Sequence, residues 1–254
     1  LSDEHAILKQ NLLFTGLESI KYNINRKQNN IKFFEFDKTY KKINGEINEN
    51  RKIGIYISGL SNEEHFSLKS KIVSFFDIYN TINKIMIQAN ILNYKTIAGK
   101  SKLLDECVEL EIDKKTICTI GKVKKELLNY FEINQDVYFA ELEWNNFINN
   151  LEKDLKYIKI PKYPEVKRDL SIILDKKKNY NDILEIIEKN DKIIKNISLY
   201  DVYEGKNIGK NKKAYALRFV LQEKNKTLDD KTISSIMNNL IIEFEKKLNA
   251  EIRK

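Results

Sequence analysis

The stretch YPEVKRDLSIIL, Tyr163 to Leu174, sets a proline turn, a basic pair and an acid at the mouth of an apolar strand. Pro161 and Pro164 are the chain's two prolines, and each biases the residue before it towards extended backbone. KIPKYPEV therefore marks a domain boundary and divides the chain into residues 1–160 and 161–254. Side chains alternate along a strand. Leu170, Ile172 and Leu174 form one apolar set, while Lys167, Asp169 and Ser171, joined by Ile173, project from the other face. Arg168 falls on the apolar phase.

The elements that follow complete a recognisable order. NDILEIIEKN reads as a helix, IKNISLYDVYE and KAYALRFVLQE as strands, and NAEIR as a short closing strand. Between them TLDDKTISSIMNNLIIEFEKKL repeats Ile233, Ile236, Met237, Leu240, Phe244 and Leu248 at helical spacing. Thr227 and Asp230 have the spacing of a capping box. The pattern βαββαβ predicts a ferredoxin-like domain with both helices on one face of the sheet. Its first and third strands are neighbours, so Asp169, Ser171 and Arg218 share the open surface. The second strand is apolar on both phases, and its faces cannot be assigned from sequence.

Before the boundary, Leu12–Asn25 and Ile72–Asn90 have helical spacing. IKFFEFDKTYKK and RKIGIYISGL read as strands around Asn44-Gly45, although the connection is longer than a plain two-residue loop. CVELEIDKKTICTIGKV gives a second hairpin and VYFAELEW another strand. The mixture is α+β and antiparallel; without regular strand–helix alternation, a doubly wound parallel sheet is excluded.

Composition narrows the chemistry. No apolar run approaches the roughly 20 residues that a spanning helix needs, which predicts a soluble protein with no membrane partner. LSDEHAILKQ begins like the middle of a domain, so a piece of a longer chain is expected. Cys107 and Cys118 make no disulfide framework and read as buried thiols of a reducing cytoplasm. His5 and His65 are too far apart in sequence for a zinc motif. There is no phosphate-binding GxxxxGK[ST] loop, no GxGxxG and no GxSxG elbow. The net charge of +8 is concentrated after the boundary, with +6 on residues 162–254. Only five of the 45 basic residues are arginine, so part of that balance reflects a lysine-rich composition.

Topology brings two lysine-bearing loops to one end of the second domain. They are DKKKN, with Lys176, Lys177 and Lys178, and EGKNIGKNKK, with Lys206, Lys210, Lys212 and Lys213. A polyanion backbone held there, with splayed bases on the sheet, is one reading. A protein-interaction module with decorative basic loops is a second, and a small-molecule regulatory domain is a third.

These motifs together resemble the bacterial phenylalanyl-tRNA synthetase beta subunit. YPEVKRDLSIIL, LYDVYEG, KKAYALRFVLQEKNKTLDD and NAEIR are similar to its C-terminal ferredoxin-fold anticodon-binding domain. LSDEHAILKQNLLFTGLESIKYNINR, IKFFEFDKTY, SFFDIYNTINKI and the run from CVELEID to FAELEW are similar to its catalytic-like, class II synthetase-like module. The resemblance implies a ligase subunit of protein biosynthesis that is non-catalytic by itself. Its partners would be tRNA(Phe) and the alpha subunit, in a cytoplasmic heterotetramer of two alpha and two beta subunits. It implies no cofactor in this part of the chain, ATP and magnesium being needed by the whole enzyme. Phe33 and Phe34, beside Glu35, stand where an active class II enzyme carries the arginine of its second signature. Lys9, Tyr79-Asn80 and GKVKKE at Gly121–Glu126 depart from the family's usual residues. The RNA-contacting set implied is Lys167, Arg168, Asp169, Ser171, Arg218, Lys206, Lys210, Lys212 and Lys213. For Arg168 a structural pairing with Asp169 or with a helix end stays open.

Overall fold

The computed structural model describes residues 8–62, 65–151, 160–188 and 193–253, without the side chains of Glu188 and Lys206. His5 and the last two residues of the expected helix NDILEIIEKN lie outside that set. The chain forms two compact units, Leu1–Lys156 and Tyr157–Lys254.

The first unit is built on a six-stranded antiparallel sheet in the order β1-β2-β6-β5-β4-β3. Its strands are β1 (Ile31–Ile43), β2 (Glu46–Ser58), β3 (Lys95–Ala98), β4 (Leu104–Ile112), β5 (Lys115–Val123) and β6 (Val137–Glu143). The first hairpin is tighter than the sequence predicts. Its two strands pair from Ile31↔Ser58 to Ile43↔Glu46, leaving only Asn44 and Gly45 to turn. Both take positive φ, 51° and 90°, a two-residue geometry whose twist matches the strands it joins.

Alternation along β2 then divides the sheet. Ile53, Ile55 and Ile57 face α2 (Phe75–Gln88), whose Ile78, Ile82 and Met86 are buried against them. Lys52, Gly54 and Tyr56 face the other way, where α1 (Leu13–Ile24) packs Leu13, Leu17 and Ile20 on Tyr56 and Phe139. The expected helix from Ile72 starts at Phe75, because Ser74 donates its backbone N–H to the Asp77 carboxylate at 2.7 Å and fixes the end there. The short β3, α3 (Lys125–Tyr130) and α4 (Trp144–Asn149) carry too few residues for periodicity to reveal them.

The second unit has the order β10-β7-β9-β8. Its elements are β7 (Val166–Asp175), α5 (Tyr180–Glu188), β8 (Ile194–Tyr203), β9 (Lys212–Leu221), α6 (Asp230–Leu248) and β10 (Glu251–Arg253). The two central strands pair over ten residues, from Val166↔Leu221 to Asp175↔Lys212. Ile172 and Leu174 on β7, with Tyr215, Leu217, Phe219 and Leu221 on β9, bury against Ile183, Ile186 and Ile187 of α5 and the apolar stripe of α6. Losing Phe219 to alanine from such a core costs about 3–5 kcal/mol. The start of α6 corrects the sequence reading. Asp229 is the cap, accepting the Thr232 N–H at 2.7 Å, so Thr227 and Asp230 do not form the capping box.

A candidate nucleic-acid interface

Backbone register fixes which side chains share the face of the second sheet opposite its helices. One row runs Arg253–Ser171–Ala216–Asp201 and the next Glu251–Ile173–Ala214–Tyr203. A third holds Asp169, Arg218 and Ser198. Small residues thus line the middle, where Ser171, Ala214 and Ala216 leave a shallow floor. Longer groups stand around it. The Arg253 guanidinium lies 5.6 Å from the Tyr203 ring centre, and the Arg218 guanidinium 5.2 Å from that of Tyr200. Tyr200 and Tyr203 remain 56% and 39% exposed, so part of each side chain is open to solvent. Tyr203 is seated by Gly205, at which a Cβ would lie 2.3 Å from the tyrosine hydroxyl oxygen.

Arg218 is fully engaged on one side. Its Nε and Nη2 donate to Asp169 Oδ1 and Oδ2, each at 2.7 Å. The hydrogen bonds from the guanidinium hold the Asp169 carboxyl below its usual range.

The nine residues expected at an RNA surface separate into groups. Asp169, Ser171 and Arg218 come together as the alternation requires. Lys167 is exposed on the same face, 3.6 Å from Glu165. Arg168 is on the helix side. Its Nη2 lies 3.4 Å from Asp230 in the first turn of α6, so the helix-end alternative describes it and it is off the open face. Lys213 is off that face too, because it pairs with Leu174 on the core phase and lies 5.0 Å over Tyr215. Lys212 has the open phase but is ion-paired with Glu251. The two loops do meet, through a 2.9 Å bond from the Lys176 N–H to the Asn211 carbonyl, and Lys176 Nζ lies 2.6 Å from Glu204. Lys210 and Lys177 are exposed, Lys178 is half-buried, and the Lys206 side chain lies outside the described residues.

Tyr200, Tyr203 and Arg253 were missed by sequence reasoning. Tyr200 is the extra residue of a bulge between Leu199 and Asp201, which breaks the alternation needed to read β8. The aromatic run in LYDVYE was the available signal.

In the first unit, Glu35 and Asp37 of FFEFDKTY lie on the α1 side of the sheet. Both are taken up by Lys9, at 2.7 and 2.6 Å, and Thr15 donates to Glu35 at 2.9 Å. Lys52 sits between Glu141 and Glu143 at 2.6 and 2.7 Å. Burial alone would lower its pKa, but the two carboxylates outweigh that and raise it. Among the described residues no group of three or more His, Cys, Asp or Glu side chains is placed to hold a metal ion. No helix among them is long and apolar enough to cross a membrane.

The four-stranded sheet with both helices packed on one face defines a ferredoxin-type class of domain. The family model described as "Ferredoxin-fold anticodon binding domain" matches residues 161–253, and that described as "Phenylalanyl tRNA synthetase beta chain CLM domain" matches residues 1–144. The chain belongs to the phenylalanyl-tRNA synthetase beta chain family. It is 33% identical over its whole length to the phenylalanine–tRNA ligase beta subunits of Bacteroides fragilis and Bacteroides thetaiotaomicron, and 32% identical to that of Fusobacterium nucleatum. In each case it covers 33% of the relative, so the chain spans about a third of the length of these curated relatives.

Proposed function

We propose that this chain is the tRNA-binding and subunit-packing part of a phenylalanine–tRNA ligase beta subunit, working in the cytoplasm. In this reading it contacts the anticodon region of tRNA(Phe). A separate alpha subunit charges the RNA with phenylalanine, using ATP and magnesium, within a heterotetramer of two alpha and two beta subunits. The observation that carries the reading is the exposed pair Tyr200 and Tyr203 over a floor of Ser171, Ala214 and Ala216. Loop bases unstacked from an RNA hairpin can lie on tyrosine rings, and such stacking contributes about 1–3 kcal/mol per base. The unengaged loop lysines Lys177, Lys178 and Lys210 would hold the adjoining phosphates, making part of the affinity salt-dependent. The network of Lys9, Lys52 and their four carboxylates fits a first unit that carries no aminoacylation chemistry of its own.

Binding of the full chain to a tRNA(Phe) anticodon stem-loop, measured by fluorescence anisotropy, tests this. Tyr203→Ala is expected to weaken it; equal affinity for wild type and variant would refute the face assigned.

A different surface supports the packing role. Phe34 and Phe36 are 72% and 50% exposed on the α2 side of edge strand β1. Beside them Ile53, Ile55, Ile57, Thr81 and Ile85 line a groove of about 380 Å³. An apolar surface of this kind favours protein contact. Titration with the alpha subunit, comparing wild type with Phe34→Ser, would detect it as a loss of affinity; unchanged affinity would count against this groove.

A further inference from the structure

The open face of the second sheet carries two ion pairs beside Arg253 and Asp201. Lys212 is paired with Glu251 and Arg218 with Asp169. The second pair differs in its geometry. Arg218 and Asp169 are register partners on the two central strands, so backbone pairing sets them opposite one another before either side chain chooses a rotamer. Two parallel hydrogen bonds of 2.7 Å then lock the guanidinium and the carboxylate in one plane, a fork-to-fork arrangement with high geometric specificity. The guanidinium carbon lies over the Tyr200 ring, 5.2 Å from its centre.

Two physical consequences follow. The pair is neutral as a unit, so it adds little long-range attraction for phosphate. The guanidinium is also held flat, with both Nη1 hydrogens and one Nη2 hydrogen turned away from Asp169. A planar, neutral surface with a donor edge, next to an exposed tyrosine, suits a nucleobase, which stacks on guanidinium planes and offers ring acceptors. It is poorly matched to a phosphate, which is drawn by uncompensated charge.

We propose that Asp169 is a positioning residue for RNA discrimination, holding Arg218 flat and charge-compensated beside Tyr200 so that the arginine meets a base instead of the phosphate backbone. The inference rests on the RNA-binding reading above. Freed of Asp169, Arg218 has an uncompensated charge and regains its rotamers, and becomes a general phosphate ligand.

The test uses the complete 254-residue chain as wild type, Asp169→Asn and Asp169→Glu. Two probes are compared, the tRNA(Phe) anticodon stem-loop and the same stem closed by an all-uridine loop, between about 50 and 200 mM salt. Asp169→Asn is expected to steepen the slope of log affinity against log salt by about 0.7, the value for one added single-strand phosphate contact. It should also reduce the preference for the anticodon loop over the uridine loop several-fold. Asp169→Glu, which can restore the fork, is expected to keep both near wild type. Arg218→Lys, which keeps the charge but cannot form the fork, should reproduce the Asp169→Asn behaviour and serves if that variant fails to fold. A wild-type slope and wild-type preference in Asp169→Asn or Arg218→Lys overturns the inference. If the wild-type chain prefers neither probe, the RNA-binding reading itself falls, and the two failures are told apart.

Discussion

On the α1 side of the first sheet, Lys52 is 3% exposed and lies between Glu141 and Glu143, while Lys9 joins Glu35 to Asp37. On the open side of the second sheet, the side chains of Arg218 and Asp169 are 46% and 45% exposed. Both are cross-strand ion pairs on antiparallel sheets, yet their environments give them opposite uses. Around Lys52 water is scarce, so either partner alone would carry a large desolvation penalty, and the cluster must stay closed. Around Arg218 water and salt screen the pair, so it adds little to stability and its remaining donors stay available to a ligand.

The largest effect expected from this contrast is on folding. Lys52→Met leaves Glu141 and Glu143 facing each other without a cation, and breaking a buried pair in this way costs about 3–5 kcal/mol. Denaturant titration of the first unit's transition would measure it; a loss well under 1 kcal/mol would mean the cluster is open to water. The pH dependence separates the regions further. The Lys52 pKa is raised in the fold, so its stabilisation is complete below the ordinary lysine value of 10.5 and disappears as pH rises through the raised value. The Asp169 pKa is lowered, so its contribution is present above the ordinary 3.8 and disappears as pH falls through the lowered value. Wild type should therefore lose more stability than Lys52→Met between about pH 10 and 12, around the lysine range, and equal losses would contradict the pairing.

Binding effects come next in size. Tyr203→Ala is expected to weaken stem-loop affinity by about 5- to 150-fold, the loss of one stacked base, with the melting temperature little changed. Gly205→Ala should have a smaller effect in the same direction, because the added Cβ meets the Tyr203 hydroxyl at 2.3 Å and displaces the ring without removing it. An affinity equal to wild type would show that the ring's seat is immaterial. The smallest effect is that of Lys210→Gln, which should flatten the salt slope by about 0.7 while leaving the loop preference untouched. A changed preference would place Lys210 among the base-reading groups.

The same contrast explains how far the sequence could be read. The central strands of the second unit follow strict alternation, so Leu170, Ile172 and Leu174, with Tyr215, Leu217, Phe219 and Leu221, could be assigned to the core, and Asp169 and Arg218 to one surface, from spacing alone. Loop convergence was legible from the βαββαβ topology. The state of the lysines was not. That Lys212 is taken by Glu251 and Lys176 by Glu204 depends on neighbours distant in sequence, with no periodicity to announce them. Tyr200 and Tyr203 were hidden by the bulge in β8, and Arg253 by the brevity of β10. In the first unit the cluster around Lys52 joins β2 to β6 across nearly ninety positions, beyond the reach of any local pattern.

Hydrogen–deuterium exchange of the full chain, with and without saturating tRNA(Phe) anticodon stem-loop, tests the central claim most directly. New protection should fall on the peptides of β8 and β9 that carry Tyr200, Tyr203 and Arg218, and on the loop holding Lys210. Protection confined to residues 31–58 and 137–143, with the second sheet unchanged, would contradict it.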